Sequence, residues 1–198
     1  MANLVIDIGN SRTKLAVFNN REICHLAIQD LKDHGWLHPL ITRFGISNSI
    51  VSSVNTDISQ LETDLRQKTN YIRFLPAEQR SVNITYLTPD TLGLDRLANL
   101  IGAQFLYPNK SCLVIDAGTC ITYDLVDSEG GFSGGSISPG LNMRFKAMHT
   151  FTGRLPVVSP DPNFTGSQRI DTISSMISGV QNDIVSEVKG FIESYHLR

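Results

Sequence analysis

The feature that most constrains this chain is that part of it is written twice. Residues 4 to 18 read LVIDIGNSRTKLAVF and residues 113 to 127 read LVIDAGTCITYDLVD, and aligned without a gap they agree at seven of fifteen positions. Aliphatic matches come easily, because buried strands are made of them. An Asp, a Gly and a Thr repeated in register do not. Such a repeat marks duplicated structural units, so two related halves are expected. In each copy an apolar run reaches an Asp, turns at a Gly and resumes as an apolar run, which describes a β-hairpin with a polar tip. Taken singly, a D-x-G hairpin is a tight turn whose Asp caps its own backbone. Taken as a pair, Gly9 and Gly118 can adopt positive φ and bring N–H donors up to a bulky anion. Asn10, Ser11 and Thr13 in the first copy, and Thr119 and Thr122 in the second, add side-chain donors. Asp7 and Asp116 repel phosphate, and suit instead a cation that accompanies a nucleotide, or the water around it. Equivalent loops in equivalent lobes are expected to face each other across a cleft and grip a polyphosphate from two sides.

Composition narrows the partners. Apolar residues make up 41% of the 198 and charged residues 18%, a balance that builds a core rather than a disordered tail. The 17 Lys and Arg against 19 Asp and Glu form no basic block, which argues against nucleic acid as the main partner. No run approaches the ~18 apolar residues of a membrane span. The opening MANLVIDIGN carries Asp7 within its first apolar stretch and no basic leader, so it reads as a strand rather than a signal peptide, and the chain is expected in the cytoplasm. Cys24, Cys112 and Cys120 include no C-x-x-C pair and imply no disulfide framework.

Between the repeats, residues 49 to 54 and 71 to 75 read as strands and 57 to 68 as a helix. His34 and His38 have the i, i+4 spacing of helical metal ligands, but Gly35 and Pro39 argue against a regular helix there. Within residues 88 to 106, Leu97, Leu100, Ile101 and Phe105 form an apolar stripe. Asp95 and Arg96 fall outside it, and by helix criteria alone they are a solvated first-turn carboxylate and a surface cation. GFSGG matches the G-x-S-x-G nucleophile elbow, with Ser133 as nucleophile and His149 or His196 as base. An elbow needs a helix directly after it, whereas Gly and Pro continue to Gly140; a turn followed by a helix from about residue 141 explains the same residues. Residues 172 to 195 carry apolar residues at the spacing of a long buried helix. Gly179 and Gly190 interrupt it at about 1 kcal/mol each relative to Ala, implying close helix contacts or a break. Pro108 and Asn109 mark the seam, giving lobes 1–108 and 109–198.

Duplicated D-x-G hairpins joined by a mixed segment resemble the two phosphate loops of the actin-like ATPase and acetate/sugar kinase superfamily. Within it, DIGNSRTK, GLDR, DAGTCITYD and SGGSISPG, in that order, resemble type III pantothenate kinase, with a further match at Thr172 and Gly179. The resemblance implies an α/β fold of two ribonuclease-H-like lobes with mixed sheets flanked by helices, and ATP-dependent phosphorylation of pantothenate to 4'-phosphopantothenate, the first step of coenzyme A biosynthesis. It assigns ATP to Asp7, Ile8, Gly9, Asn10, Ser11, Arg12, Thr13, Lys14 and Thr119, and a monovalent cation, K+ or NH4+, to Asp116. It assigns pantothenate to Tyr86, Gly93, Leu94, Asp95, Arg96 and Thr172, with Asp95 as general base, and implies Mg2+ with the ATP and a homodimer.

Two alternatives share the fold: a nucleotide-binding regulator that does no chemistry, and a kinase for another small molecule such as a sugar or acetate. Relatives continue past the long helix into a Gly-rich strand on the adenosine side. This sequence stops at Arg198 without it, so a truncated chain or an open adenine pocket is expected. Asp171 stands where the family usually has Asn, a change expected to alter local hydrogen bonding.

Overall fold

The computed structural model describes residues 1–9, 12–30, 34–54, 57–75, 82–166 and 170–196. Its contacts divide the chain into two units, Met1–Arg80 with Asp90–Ala98, and Ser81–Pro89 with Asn99–Arg198. The seam expected at Pro108 and Asn109 lies inside the second of these.

In the first unit, alternating apolar residues fold as strands β1 (Ala2–Ile8), β2 (Thr13–Asn19) and β3 (Glu22–Gln29), followed by β4 (Ile46–Ser53) and β5 (Asn70–Arg73). They form one mixed sheet in the order β3-β2-β1-β4-β5. The first three pair antiparallel, while β4 runs parallel to β1 and β5 parallel to β4. Parallel neighbours need crossovers, supplied by α1 (Leu37–Phe44) and α2 (Ser59–Lys68). The strand period of two sends Leu4, Ile6, Leu15 and Val17 to one face, where they bury against Leu61 and Leu65. A mixed sheet flanked by helices is the arrangement expected of such a lobe.

Helix α1 forms despite Pro39. The proline lies in the first turn, where its missing N–H has no intrahelical partner to lose. His34 precedes the helix and lies 3.8 Å from Asp64, whereas His38 lies 3.2 Å from the Lys68 ammonium, so the two histidines do not share a helical face.

The second unit repeats the antiparallel part of this plan. Strands β7 (Cys112–Ala117), β8 (Cys120–Val126) and β10 (Gly135–Pro139) form a sheet in the order β10-β8-β7. The duplication therefore extends to a third strand, where no sequence similarity announced it. A short parallel pair, β6 (Asn83–Ile84) and β9 (Gly131–Phe132), lies alongside. Helix α3 (Leu94–Leu106) runs from the first unit into the second, and α4 (Leu141–Thr150) and α5 (Thr172–His196) complete it. Phe145 of α4 packs on Met176 and Val180 of α5.

Two expectations about the helices change. On α3, Leu97 and Leu100 are fully buried, but Phe105 is 65% exposed and Arg96 only 5% exposed. The covered arc is rotated by roughly 60° toward Arg96, given about 100° per residue. Arg96 is thus an interior guanidinium rather than a surface cation, and Asp95 stays outside. Helix α5 runs unbroken through Gly179 and Gly190, and a Cβ at either position meets nothing within 4 Å. Among the described residues neither glycine serves a close contact. Gly190→Ala is expected to stabilise the fold by about 1 kcal/mol through helix propensity alone. Urea unfolding should show a raised midpoint at unchanged slope.

Candidate active site

The first hairpin closes where Ile8 pairs with Thr13, and its tip is held by a hydrogen bond from the Gly9 N–H to the Arg12 carbonyl at 3.1 Å. Ile8 and Thr13 are buried, 2% and 4% exposed, so both side chains face the core rather than the tip. Pleating sends Asp7 to the opposite face. There it lies beside Lys14 across the β1–β2 ladder and beside Ser52 across the β1–β4 ladder. Lys14 is exposed and Asp7 half-buried. A carboxylate between a lysine and a serine is a polar patch at the strand end, and Ser52 joins it through a register that sequence alone does not reveal. Asn10 and Ser11 lie outside the described residues.

The second hairpin differs by one residue. Ala117 pairs with Ile121, and the tip closes through a Gly118 N–H to Cys120 carbonyl bond of 2.8 Å. Gly118 therefore spans a shorter turn than Gly9, and the two copies fall out of step beyond the bend. Lys14 stands opposite Asp7, but Thr122 stands opposite Asp116. Neither glycine has positive φ, and both use their N–H to close the turn. The expected glycine donors are thus spent within the hairpins, and any anion must be met by other tip groups.

Gly140, which precedes α4, seats itself on this tip. Its N–H donates to the Thr119 carbonyl at 3.0 Å, and a Cβ there would collide with the Gly118 and Thr119 carbonyl oxygens. Only glycine allows that approach. Asp116 is half-buried, and its Oδ2 accepts a 3.1 Å hydrogen bond from the Asn99 side-chain amide on α3. Asn99, Gly140 and Ser52 were missed from sequence. The signal for Asn99 was its place one turn beyond Asp95 on a polar helix face.

The GLDR stretch opens α3. Asp95 is exposed at the second helical position, with its Oδ1 accepting the Arg96 N–H at 2.8 Å. A Cβ on Gly93 would collide with that same Oδ1. Glycine at 93 is therefore what lets the Asp95 carboxylate fold back over the chain. Leu94 begins the helix and is half-buried. Tyr86 is positioned by the β6–β9 pair, since the next-door Thr85 N–H donates to the Phe132 carbonyl at 2.9 Å. Its ring lies 6.0 Å from that of Phe132 and over Gly134, whose φ of +141° excludes other residues. Ser133 sits between two strands with no helix following, which removes the nucleophile elbow. Thr172 is exposed at the start of α5 and lines an open pocket of about 540 Å³ with Met148, Leu155 and Met176. Asp171 caps that helix, its Oδ1 accepting the Ser174 N–H at 2.8 Å, a role Asn fills equally well.

A carboxylate anchors α5 to the sheet bearing the second tip. Glu187 accepts from the Tyr123 hydroxyl at 2.8 Å, from Ser138 of β10 and from Arg144 of α4. Burial opposes ionisation of Glu187, but these donors outweigh it and hold the carboxyl below its usual range. Burial and the Glu187 carboxylate push the Tyr123 hydroxyl up to about 12. The first unit repeats the device with Glu62, which accepts from Tyr71 at 2.7 Å and Arg73 at 3.0 Å.

Comparison with known proteins decides between the readings. The family model for type III pantothenate kinase matches residues 3–194. The chain belongs to that family. Type III pantothenate kinase of Christiangramia forsetii is 43% identical over 197 residues, covering 98% of this chain and 80% of that protein. The Phocaeicola vulgatus protein of the same name is 40% identical over 197 residues, covering 96% and 78%. The crystal structure of a conserved Campylobacter jejuni protein, named for the Baf family of transcriptional activators, superposes with a TM-score of 0.56 at 22% identity, covering 94% of this chain and 78% of that one. That likeness shows the fold. Membership places the chain among kinases of pantothenate rather than of sugars or acetate, and GLDR is the motif to which the resemblance assigns the base.

The geometry at that motif carries a test. In Gly93→Ala, the new methyl displaces only the end of a flexible side chain, so the unfolding midpoint should stay near that of the unsubstituted chain. Turnover should fall by about 10²-fold, a loss that a misplacement of about 1 Å can cause. Circular dichroism melts and a coupled ADP-release assay read the two effects separately.

Proposed function

We propose that this chain transfers the γ-phosphoryl group of ATP to the primary hydroxyl of pantothenate, with Asp95 as the general base. What supports the assignment is the exposed Asp95 carboxylate at the head of α3, held over Gly93, in a chain of the pantothenate kinase family. The hydroxyl proton passes to Asp95 as its oxygen attacks the γ-phosphorus, and the bond from phosphorus to the ADP oxygen breaks. Phosphoryl transfer has a loose transition state, so most of the acceleration belongs to positioning and charge neutralisation, and the base contributes the smaller share.

ATP is assigned to the tip spanning Asp7 to Lys14 and to Thr119, with the Lys14 ammonium as the charged donor. Pantothenate is assigned to Tyr86, Gly93, Leu94, Asp95, Arg96 and Thr172. Arg96, whose fork of donors suits a planar carboxylate, is largely interior, so its contribution to an anionic substrate comes from the buried side of α3.

Among the described residues no group of three or more His, Cys, Asp or Glu could cage a metal. That donor set fits a Mg2+ carried mainly by the nucleotide's own phosphates, with Asp7 near it. Bound Mg2+ supplies neutralisation of charge on the transferring phosphoryl. It equally fits a singly charged ion, K+ or NH4+, at the lone Asp116 carboxylate supplemented by neutral oxygens. A homodimer belongs to the same reading, supported by the apolar Ile173 and Ile192 of α5, 52% and 38% exposed, and a cytoplasmic location is part of what the resemblance implies. Among the described residues no helix is long and apolar enough to cross a membrane.

Asp95→Asn is expected to lower turnover with pantothenate by ~10²–10⁴-fold while ATP affinity stays nearly unchanged. ADP release and equilibrium nucleotide titration measure the two. Turnover equal to that of the unsubstituted chain returns Asp95 to an ordinary surface carboxylate, and release driven by sugars or acetate in place of pantothenate removes the substrate assignment.

A further inference from the structure

We propose that Asn99 is a positioning residue that sets the Asp116 carboxylate for a monovalent cation, an inference that rests on the cation role assigned to Asp116 above. Among the described residues, the 3.1 Å bond from the Asn99 Nδ2 to Oδ2 is the one hydrogen bond the Asp116 carboxylate makes. One oxygen is thereby fixed and the other, Oδ1, keeps its lone pairs for a ligand. Groups that orient a metal-binding carboxylate in this way control affinity without touching the ion.

The chemistry of the donor is informative. Lysine or arginine at position 99 would neutralise Asp116 and repel a cation, and a second carboxylate would compete for the ion or for a proton. An apolar side chain would let the Asp116 carboxylate turn. A neutral amide fixes its plane while leaving its charge intact. Asparagine is also a poor helix former compared with the leucines around it, and it stands half-buried directly before the fully buried Leu100. Its place on α3 adds a connection. Asp95 and Asn99 are i and i+4 on one helix and so share a face. The same helix therefore carries both the proposed base and the amide that orients the Asp116 carboxylate.

The test compares the unsubstituted chain with Asn99→Leu, which keeps the size and removes the donor, and with Asn99→Ala as a smaller perturbation should the leucine variant fail to fold. Pantothenate-dependent ADP release is titrated with KCl at saturating substrates, with choline chloride holding ionic strength constant. In either variant the half-activating K+ concentration should rise about 10–100-fold, and high KCl should restore the maximal rate to within a few-fold. A second readout needs no turnover. KCl in place of choline chloride should raise the thermal unfolding midpoint of the unsubstituted chain at concentrations that leave the variants unmoved. An unchanged half-activating concentration, or a rate loss that high KCl does not restore, makes Asn99 merely structural and overturns the proposal. An unsubstituted chain that neither needs K+ nor is stabilised by it removes the cation role from Asp116, and that result is visible before any variant is made.

Discussion

Strand pairing at the two hairpins sets where Asp7 and Asp116 stand and which residues flank them. Once Leu4, Ile6 and Ile8 are committed to the core, the pleat leaves Asp7 no choice but the opposite face. Pairing with β2 and β4 then delivers Lys14 and Ser52 to its sides. A slip of one residue would bury the carboxylate and expose the leucine and isoleucines, a loss of several buried side chains at ~1.5–3 kcal/mol each. The placement of the polar groups is therefore enforced by the hydrophobic ones. In the second unit the same strand plan carries a shorter bend, and Thr122 takes the place opposite the aspartate. Two halves that look alike as text thus present different partners to their acidic residues. That difference matches the roles proposed for the two carboxylates, Asp7 beside phosphates and Asp116 on a cation.

The elements legible in the sequence are those whose signal is local. The paired hairpins, α2, α3, the start of α4 at Leu141 and the full run of α5 follow from periodicity and from Gly and Pro punctuation. β3 was not legible, because an edge strand with Ile23, Leu26 and Ile28 more than half exposed buries too little to impose a clean alternation. α1 was not legible because Pro39 reads as a breaker unless its position in the first turn is known. The buried arc of α3 depends on what covers the helix, which no wheel contains, and so Arg96 and Phe105 exchanged their expected places.

The site was legible in part, for a related reason. Asp95 could be placed outside the core from spacing alone, while its role as base is what the resemblance implies and the proposal carries. What spacing could not give were contacts between residues far apart in the chain. The glycines at 9 and 118 were read as donors because the N–H to carbonyl bonds that close each turn depend on the loop's length in space. Gly140 against the Thr119 carbonyl, and Asn99 against Asp116, join segments that only the fold brings together. These tertiary contacts are what rigidify the second tip. Gly140 packs on it, the Glu187 cluster ties its sheet to α4 and α5, and Asn99 ties its aspartate to α3.

We propose that the segments 9–14 and 118–122 each take part in binding ATP, and this is the assignment on which the rest of the reading depends. Amide hydrogen exchange, with and without a non-hydrolysable ATP analogue and Mg2+, addresses it most directly. The account predicts slowed exchange in both segments at the same nucleotide concentration. Protection at one bend with the other unchanged would contradict it.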